Sequence, residues 1–287
     1  MSSTPRILLV EGNLRANCDR AERHGTLSAG ERYAKSLRNV FPGVQVDKVY
    51  GAETDCALPV GAELASYDGI VMGGSGLHAY HREIHVTRQI DLTRQIFKSG
   101  TPMLGSCWGM QIAVIAAGGI VAKSPNEREI GLARKITLTP EGRSHPMFEG
   151  KSSVFDSPCI HLDEVTHVPD GATVLASNNH SRVQAVSFVS QGTPFWGVQY
   201  HPEFDLFHMA RLFVMYSEIM IEGDFYRTIE DGKALAGDME TLQADPSRSD
   251  LAWKLGVDSD VLDDTIRTLE IRNWIEKMVI PSMAARR

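Results

Sequence analysis

The chain has no stretch of about 18 consecutive apolar residues, so nothing in it reads as a membrane span. It has no basic excess either. Its 29 Lys and Arg stand against 36 Asp and Glu, for a net charge of -7. An acidic chain has no electrostatic pull towards a phosphate backbone, so a nucleic-acid partner is not expected. Cysteine is sparse: Cys18, Cys56, Cys107 and Cys159 show no paired metal-type spacing. The apolar run Ile7-Leu8-Leu9-Val10 is too short for the core of an export signal, and no small-residue cleavage site follows it. Free thiols in a reducing, cytoplasmic setting are therefore expected. No metal or cofactor is called for, and there is no internal repeat or low-complexity tract.

The 287 residues, 43% apolar and 23% charged, have the balance of a globular α/β chain. Short apolar runs alternate with helical spacing. Residues 6–10, 44–49, 69–72 and 102–104 read as strands, and residues 29–41, 81–98 and 108–117 as helices. This alternation predicts a doubly wound, mostly parallel sheet with flanking helices. The Arg-rich segment from Glu11 to Ser28 reads as a long loop. Residues 133–188 are richer in β-branched and turn residues and should be partly antiparallel. Residues 193–200 read as another strand, and 204–222 as a helix. Beyond Gly223 the chain turns helix-rich, with apolar residues at helical spacing from Asp260 to Ile280 and Pro281 as the stop. Residues 1–223 are expected to form one domain, and residues 224–287 a helical C-terminal extension.

Gly105-Ser106-Cys107-Trp108-Gly109 has the form of a nucleophile elbow with cysteine at its centre. A strand that turns sharply into a helix leaves no room for side chains two positions either side, hence the two glycines. The thiol then sits at a helix N-terminus, where orphan N–H groups favour an anion. The Trp108 N–H is placed to bind an oxyanion. A buried core cysteine would be the plain alternative. In Tyr200-His201-Pro202-Glu203, an imidazole supplies a base with a pKa near working pH. A carboxylate two positions on can hold its second nitrogen, and Pro202 keeps His201 extended. Two solvated polar residues after a strand would be the plain alternative here.

Taken together, Gly105-Ser106-Cys107-Trp108-Gly109-Met110-Gln111 and Gly197-Val198-Gln199-Tyr200-His201-Pro202-Glu203 strongly resemble the two signature motifs of class I (triad) glutamine amidotransferases. The likeness is strongest to the glutaminase part of GMP synthase and spans roughly residues 5–222. It implies a flavodoxin-like amidotransferase domain. Cys107 would be the nucleophile, His201 the base and Glu203 its orienter, with a γ-glutamyl thioester as intermediate. It also implies an oxyanion hole from the Gly74 and Trp108 N–H groups. Gln111 would help hold the substrate, and Ser181, Arg182 and Val183 would lie near the segment gripping its α-amino and carboxylate groups.

Met72-Gly73-Gly74-Ser75 stands where the family usually has Ser-Gly-Gly-Pro, and Trp108 is bulkier than the usual Tyr or Leu. Either departure could reshape the pocket towards a γ-glutamyl amide other than glutamine. The Ser-Gly-Gly-x-Asp-Ser phosphate loop of a full GMP synthase is not found. The resemblance thus implies a glutaminase that passes ammonia to a synthase subunit in trans. The alternatives are a free-standing γ-glutamyl amide or peptide hydrolase with the same triad and, third, a non-catalytic regulatory module. Self-association into a homo-oligomer stays open. His78, His81 and His85 could share a helical face, and a His-rich surface is the plainer reading. His161, Asp163 and Glu164 are expected at the pocket edge.

Overall fold

The computed structural model of the protein describes residues 4–286. Eleven strands are formed: β1 (Arg6–Glu11), β2 (Gln45–Tyr50), β3 (Gly69–Met72), β4 (Met103–Ser106), β5 (Ile120–Lys123), β6 (Glu129–Leu138), β7 (Val154–His161), β8 (Asp163–His167), β9 (Thr173–Ser177), β10 (Ala185–Ser190) and β11 (Thr193–Val198). Nine of them make one sheet in the order β2-β1-β3-β4-β11-β10-β9-β6-β7, while β5 and β8 pair separately. The pairs from β2 through β11 are parallel, and those from β11 to β7 are antiparallel. The doubly wound, mostly parallel expectation and the antiparallel middle both hold.

The parallel strands are buried on both faces, which is why they read as continuous apolar runs. Along β1 the side chains alternate. Ile7 and Leu9 face one core with Tyr33 and Leu37 of α2 (Ala29–Val40). Leu8 and Val10 face the other with Ile90 and Phe97 of α3 (Ile84–Ser99) and Ile112 of α4 (Trp108–Ala116). The remaining helices are α1 (Arg15–Arg23), α5 (Pro140–Ser144), α6 (Leu206–Met215), α7 (Ser217–Glu222), α8 (Ile229–Ala244), α9 (Ser249–Leu255), α10 (Ser259–Leu262), α11 (Asp264–Arg267), α12 (Leu269–Trp274) and α13 (Ile280–Ala285). A third apolar cluster joins Phe204, Leu212 and Phe213 to Met239, Leu242 and Leu251.

Four local expectations fail. The segment expected as a loop contains α1, which no side chain caps at its start. Tertiary contacts hold it instead. Cys18 and Ala21 are buried, and Arg20 Nη2 donates to the Met215 carbonyl at 2.7 Å. The helix expected over 204–222 is two helices, with Tyr216 between them. The tail's long periodic segment is broken, because the Asp258 and Asp263 side chains each accept a backbone N–H and start a new short helix. Pro281 does not stop the last one. It lies in the first turn of α13, after a π-helical turn over Ile275–Val279. The backbone stays helical through the π-helical turn, and that irregular turn just before Pro281 accommodates a residue with no N–H to donate.

The tail's side chains enter the main core. Ile271, Trp274 and Ile275 pack with Leu9 and Val71. The Tyr200 hydroxyl donates to Glu270 Oε1 at 2.7 Å, and Lys151 Nζ stands 3.1 Å from the same buried carboxylate.

Candidate active site

Strands β4 and β11 lie side by side in parallel, with Ser106 opposite Val198. Their C-terminal ends therefore deliver Cys107 and His201 to one edge of the sheet, where open α/β sheets bind ligands. Cys107 sits at the start of α4 with φ 51° and ψ -104°, a strained backbone for a residue with a Cβ. Its N–H is held by the Val198 carbonyl at 2.7 Å. The elbow glycines are there for space. A Cβ on Gly109 would lie 2.0 Å from the Met72 carbonyl oxygen, and one on Gly105 would lie 2.5 Å from the Gly109 carbonyl carbon.

His201 Nδ1 lies 2.8 Å from Glu203 Oε1, and His201 and Cys107 face the same cleft, with the sulfur 3.8 Å from the Ile160 carbonyl oxygen. Both His201 and Glu203 are buried. Burial pulls the imidazole down, but the Glu203 carboxylate and the Cys107 sulfur outweigh it and push His201 up to about 10. The ring is thus held as an imidazolium beside the Cys107 sulfur. Ser106 Oγ donates to the same Glu203 oxygen at 3.2 Å, and Oε2 is buried with no hydrogen-bond partner among the described residues. Behind the turn, Arg32 donates from Nε to the Glu203 carbonyl at 2.7 Å and pairs through Nη2 with Asp205 at 2.7 Å. Asp205 in turn caps α6, and Phe204 stacks on the His201 ring. Nothing in the sequence singled out Arg32. Phe204 carried one signal, its place directly after His-Pro-Glu.

A cleft of about 370 Å³ opens over Cys107 and His201. Gly74 lines it so closely that a Cβ there would come within 2.6 Å of His201 Cε1. Gln111 lines it too, with its Nε2 donating to the Asp163 carbonyl at 2.9 Å. His161 and Asp163 line it, as expected, but Glu164 of the same expected group does not. Trp108 brings its backbone to the elbow but turns its side chain into the core, where Nε1 donates to Gln89 Oε1 at 2.8 Å. Met72 is likewise core. The bulk of neither side chain shapes the cleft. Ser75 does face it, near Asn13.

Ser181, Arg182 and Val183 do not reach the cleft lining. They belong to a turn in which the Ser181 N–H donates to Asn178 Oδ1 at 2.8 Å. Asn178 then donates to Glu129 Oε1, while Glu129 Oε2 takes hydrogen bonds from His161 Nε2 and Gln184 Nε2. Burial would raise Glu129, yet His161, Asn178 and Gln184 hold it below its ordinary value. Glu129, His161 and His180 bring one ligand atom each within 4.8 Å of the others. Both carboxylate oxygens already accept from donors, while His180 Nε2 is buried with no partner among the described residues. His78, His81 and His85 share no helical face. His78 pairs with Asp163 at 3.0 Å, and only His85 lies on α3.

Cys18 borders the cleft, but burial and the Glu11 carboxylate push it up to about 12. Burial also raises Cys56 and Cys159.

A strained cysteine elbow on a parallel sheet, facing an imidazole backed by a carboxylate, defines a cysteine-type amidohydrolase site. Residues 31–213 match the family Glutamine amidotransferase class-I, and the chain belongs to it. The chain is 35% identical over 284 residues to a Pseudomonas gamma-glutamyl-L-1-hydroxyisopropylamide hydrolase, covering 96% of this chain and 94% of that protein. It is 33% identical over 135 residues to the Wolinella succinogenes GMP synthase [glutamine-hydrolyzing], covering 47% of this chain and only 24% of that protein. The fold matches a solved glutamine amidotransferase from Thermotoga maritima with a TM-score of 0.66 at 17% identity, covering 96% of this chain and 99% of that one. The protein is a class I amidotransferase-type enzyme acting by amide hydrolysis.

Proposed function

We propose that the protein hydrolyses the side-chain carboxamide of glutamine or a γ-glutamyl amide through a thioester on Cys107. The Cys107 sulfur, its proton passed to His201, bonds to the carboxamide carbon, and the Gly74 and Trp108 N–H groups receive the oxyanion. The C–N bond breaks as the nitrogen takes a proton from His201. Water, deprotonated by His201, then adds to the thioester carbon. The C–S bond breaks, glutamate leaves and the sulfur is restored beside the imidazole that holds its proton. Glu203 holds the imidazole in the orientation both transfers need. The observation that carries this reading is the 2.8 Å contact of His201 Nδ1 with Glu203, on a ring that faces one cleft with the strained Cys107 elbow. Gln111 would help seat the γ-glutamyl group, with Ser181, Arg182 and Val183 acting only through the Asn178–Glu129 network.

With glutamine as substrate, the ammonia would pass to a synthase subunit in trans. A second reading is a hydrolase that works alone on substituted γ-glutamyl amides. It is favoured by likeness along nearly the whole length of the Pseudomonas hydrolase. We take residues 1–223 as the catalytic unit and 224–287 as a brace, in a cytoplasmic protein with free thiols; its four cysteines are unpaired.

The test is glutamate release from glutamine and a panel of γ-glutamyl amides, with Cys107→Ala alongside. We expect the variant to fold and to lose about a thousandfold or more in kcat. Wild-type turnover by Cys107→Ala would remove the assigned nucleophile. Turnover of substituted amides but not of glutamine would select the second reading.

A further inference from the structure

The turn at Ser181–Val183 stops short of the cleft, so the charged end of a γ-glutamyl group must be met by other side chains. Two guanidiniums line the cleft, those of Arg20 and Arg128. Arg20 is committed. Its Nη2 donates to the Met215 carbonyl at 2.7 Å, and its guanidinium lies over the Tyr216 ring. Arg128 forms no ion pair with any of the described residues. Among the described residues, the one carboxylate in the lining is Asp163, which His78 Nδ1 and the Ala79 N–H already engage. Burial and Asp163 raise the Tyr80 hydroxyl while Lys123 and Arg128 oppose them, so both lining charges act on one phenol.

Strand pairing sets where Arg128 starts. The Cys107 sulfur lies 3.8 Å from the Ile160 carbonyl oxygen. Ile160 of β7 pairs with Ile130 of β6, and His161 with Glu129. Arg128 stands two residues before Ile130 and so shares its face. Ile130, Ile160 and Arg128 all line the cleft. With strands about 4.8 Å apart and a rise of about 3.3 Å per residue, the Arg128 backbone lies about 8 Å from that of Ile160. An extended arginine bridges most of that gap and meets a carboxylate a few bonds from the carbon that the sulfur attacks. The strand start is fixed on both sides of Arg128. The buried Glu129 carboxylate takes hydrogen bonds from His161, Asn178 and Gln184, and Asn126 Nδ2 donates to the His180 carbonyl at 2.7 Å.

Building on the amidohydrolase reading, we propose that Arg128 recognises the substrate's α-carboxylate and so sets the preference for γ-glutamyl groups over γ-amides that lack it. A planar guanidinium meets a carboxylate with two parallel N–H bonds. Asp163 repels the same group, so the carboxylate has one favourable place in the cleft. The role is one of binding and positioning. Bond making and breaking stay with Cys107 and His201.

The experiment measures ammonia or methylamine release by the full chain from two substrate pairs. Glutamine is paired with 4-aminobutanamide, and γ-glutamyl methylamide with 4-amino-N-methylbutanamide. The second member of each pair lacks only the α-carboxylate. The wild type should favour the carboxylate-bearing member by about thirtyfold in kcat/KM. Arg128→Gln should lose that preference, chiefly through a raised KM on the γ-glutamyl members, with little change on the other two. Arg128→Lys keeps the charge without the fork and should fall between. A melting curve checks that each variant folds, and if Arg128→Gln does not, Arg128→Lys carries the same comparison. Equal losses on both members of a pair, or no loss, overturn the assignment of Arg128. A wild type that does not distinguish the members overturns carboxylate recognition and leaves the amidohydrolase reading standing. Amine release from none of the four substrates overturns both.

Discussion

The Phe204 ring lies flat on the His201 imidazole, with centroids 3.9 Å apart and planes 3° from parallel. On the far side of Phe204, His208 follows at 4.2 Å. A protonated imidazole over an aromatic face gains from the ring quadrupole. The contact also fixes the ring plane in which Nδ1 meets Glu203. Phe204→Ala should therefore lower kcat for glutamate release by about tenfold. Steady-state kinetics beside a melting curve would check this; an unchanged kcat in a folded variant would show that Glu203 alone orients the ring.

The alkaline side of the activity profile should report His201. The carboxylate and the sulfur hold the imidazole protonated up to about 10, so kcat/KM should persist through pH 9 and fall as that proton is lost. Glu203→Gln removes the larger of the two raising influences and leaves burial, which acts downward. Its alkaline limb should move to lower pH. An unmoved limb would break the link between Glu203 and the imidazolium.

Stability should also depend on pH, in two opposed windows. Burial, with Arg32 and His201 adding to it, takes His208 down to about 3, and burial takes His145 down to about 4. The unfolded chain binds these protons from about 6.5 downward, so stability falls as pH drops below that value and levels off near the folded values. His201 works the other way. Its contribution is present below about 6.5 and is lost as pH rises through about 10. Thermal melts should peak between the two windows. His208→Leu should make the acid slope shallower, and a variant slope equal to the wild type's would exclude His208 as a source.

The C-terminal helices should prove indispensable to folding. A chain ending at Gly223 loses Ile271, Trp274 and Ile275 from the main core and should be insoluble or molten by near-ultraviolet circular dichroism. Tyr200→Phe is the milder test. Deleting one hydrogen bond to the buried Glu270 should cost about 1–2 kcal/mol in urea unfolding. A soluble, cooperatively folding truncation would show that the tail is a separable appendage.

The chemistry was legible where backbone geometry demands particular residues. Gly105 and Gly109 are required because a Cβ at either would enter the backbone of the turn or of Met72, and that demand is visible as a pattern. His201-Pro202-Glu203 was legible because both partners lie within one turn. The parallel strands announced themselves by being apolar on both faces. Helix α1 did not, since its sequence is Arg-rich, has no capping side chain, and depends on contacts with residues almost 200 positions away. Arg32 was invisible for the same reason, because its partners, Glu203 and Asp205, meet it only in the folded chain. The turn at Ser181–Val183 reaches the site only through Asn178 and Glu129, a relay that no local pattern encodes.

The bond from Tyr200 to Glu270 fixes an order of events. The strand end that carries the imidazole is anchored by a carboxylate near the other extreme of the chain. On the ribosome, the elbow and the His-Pro-Glu turn emerge while that carboxylate is still inside the exit tunnel. Until it follows, Tyr200 lacks its acceptor, and the strand end beside the imidazole is without this anchor.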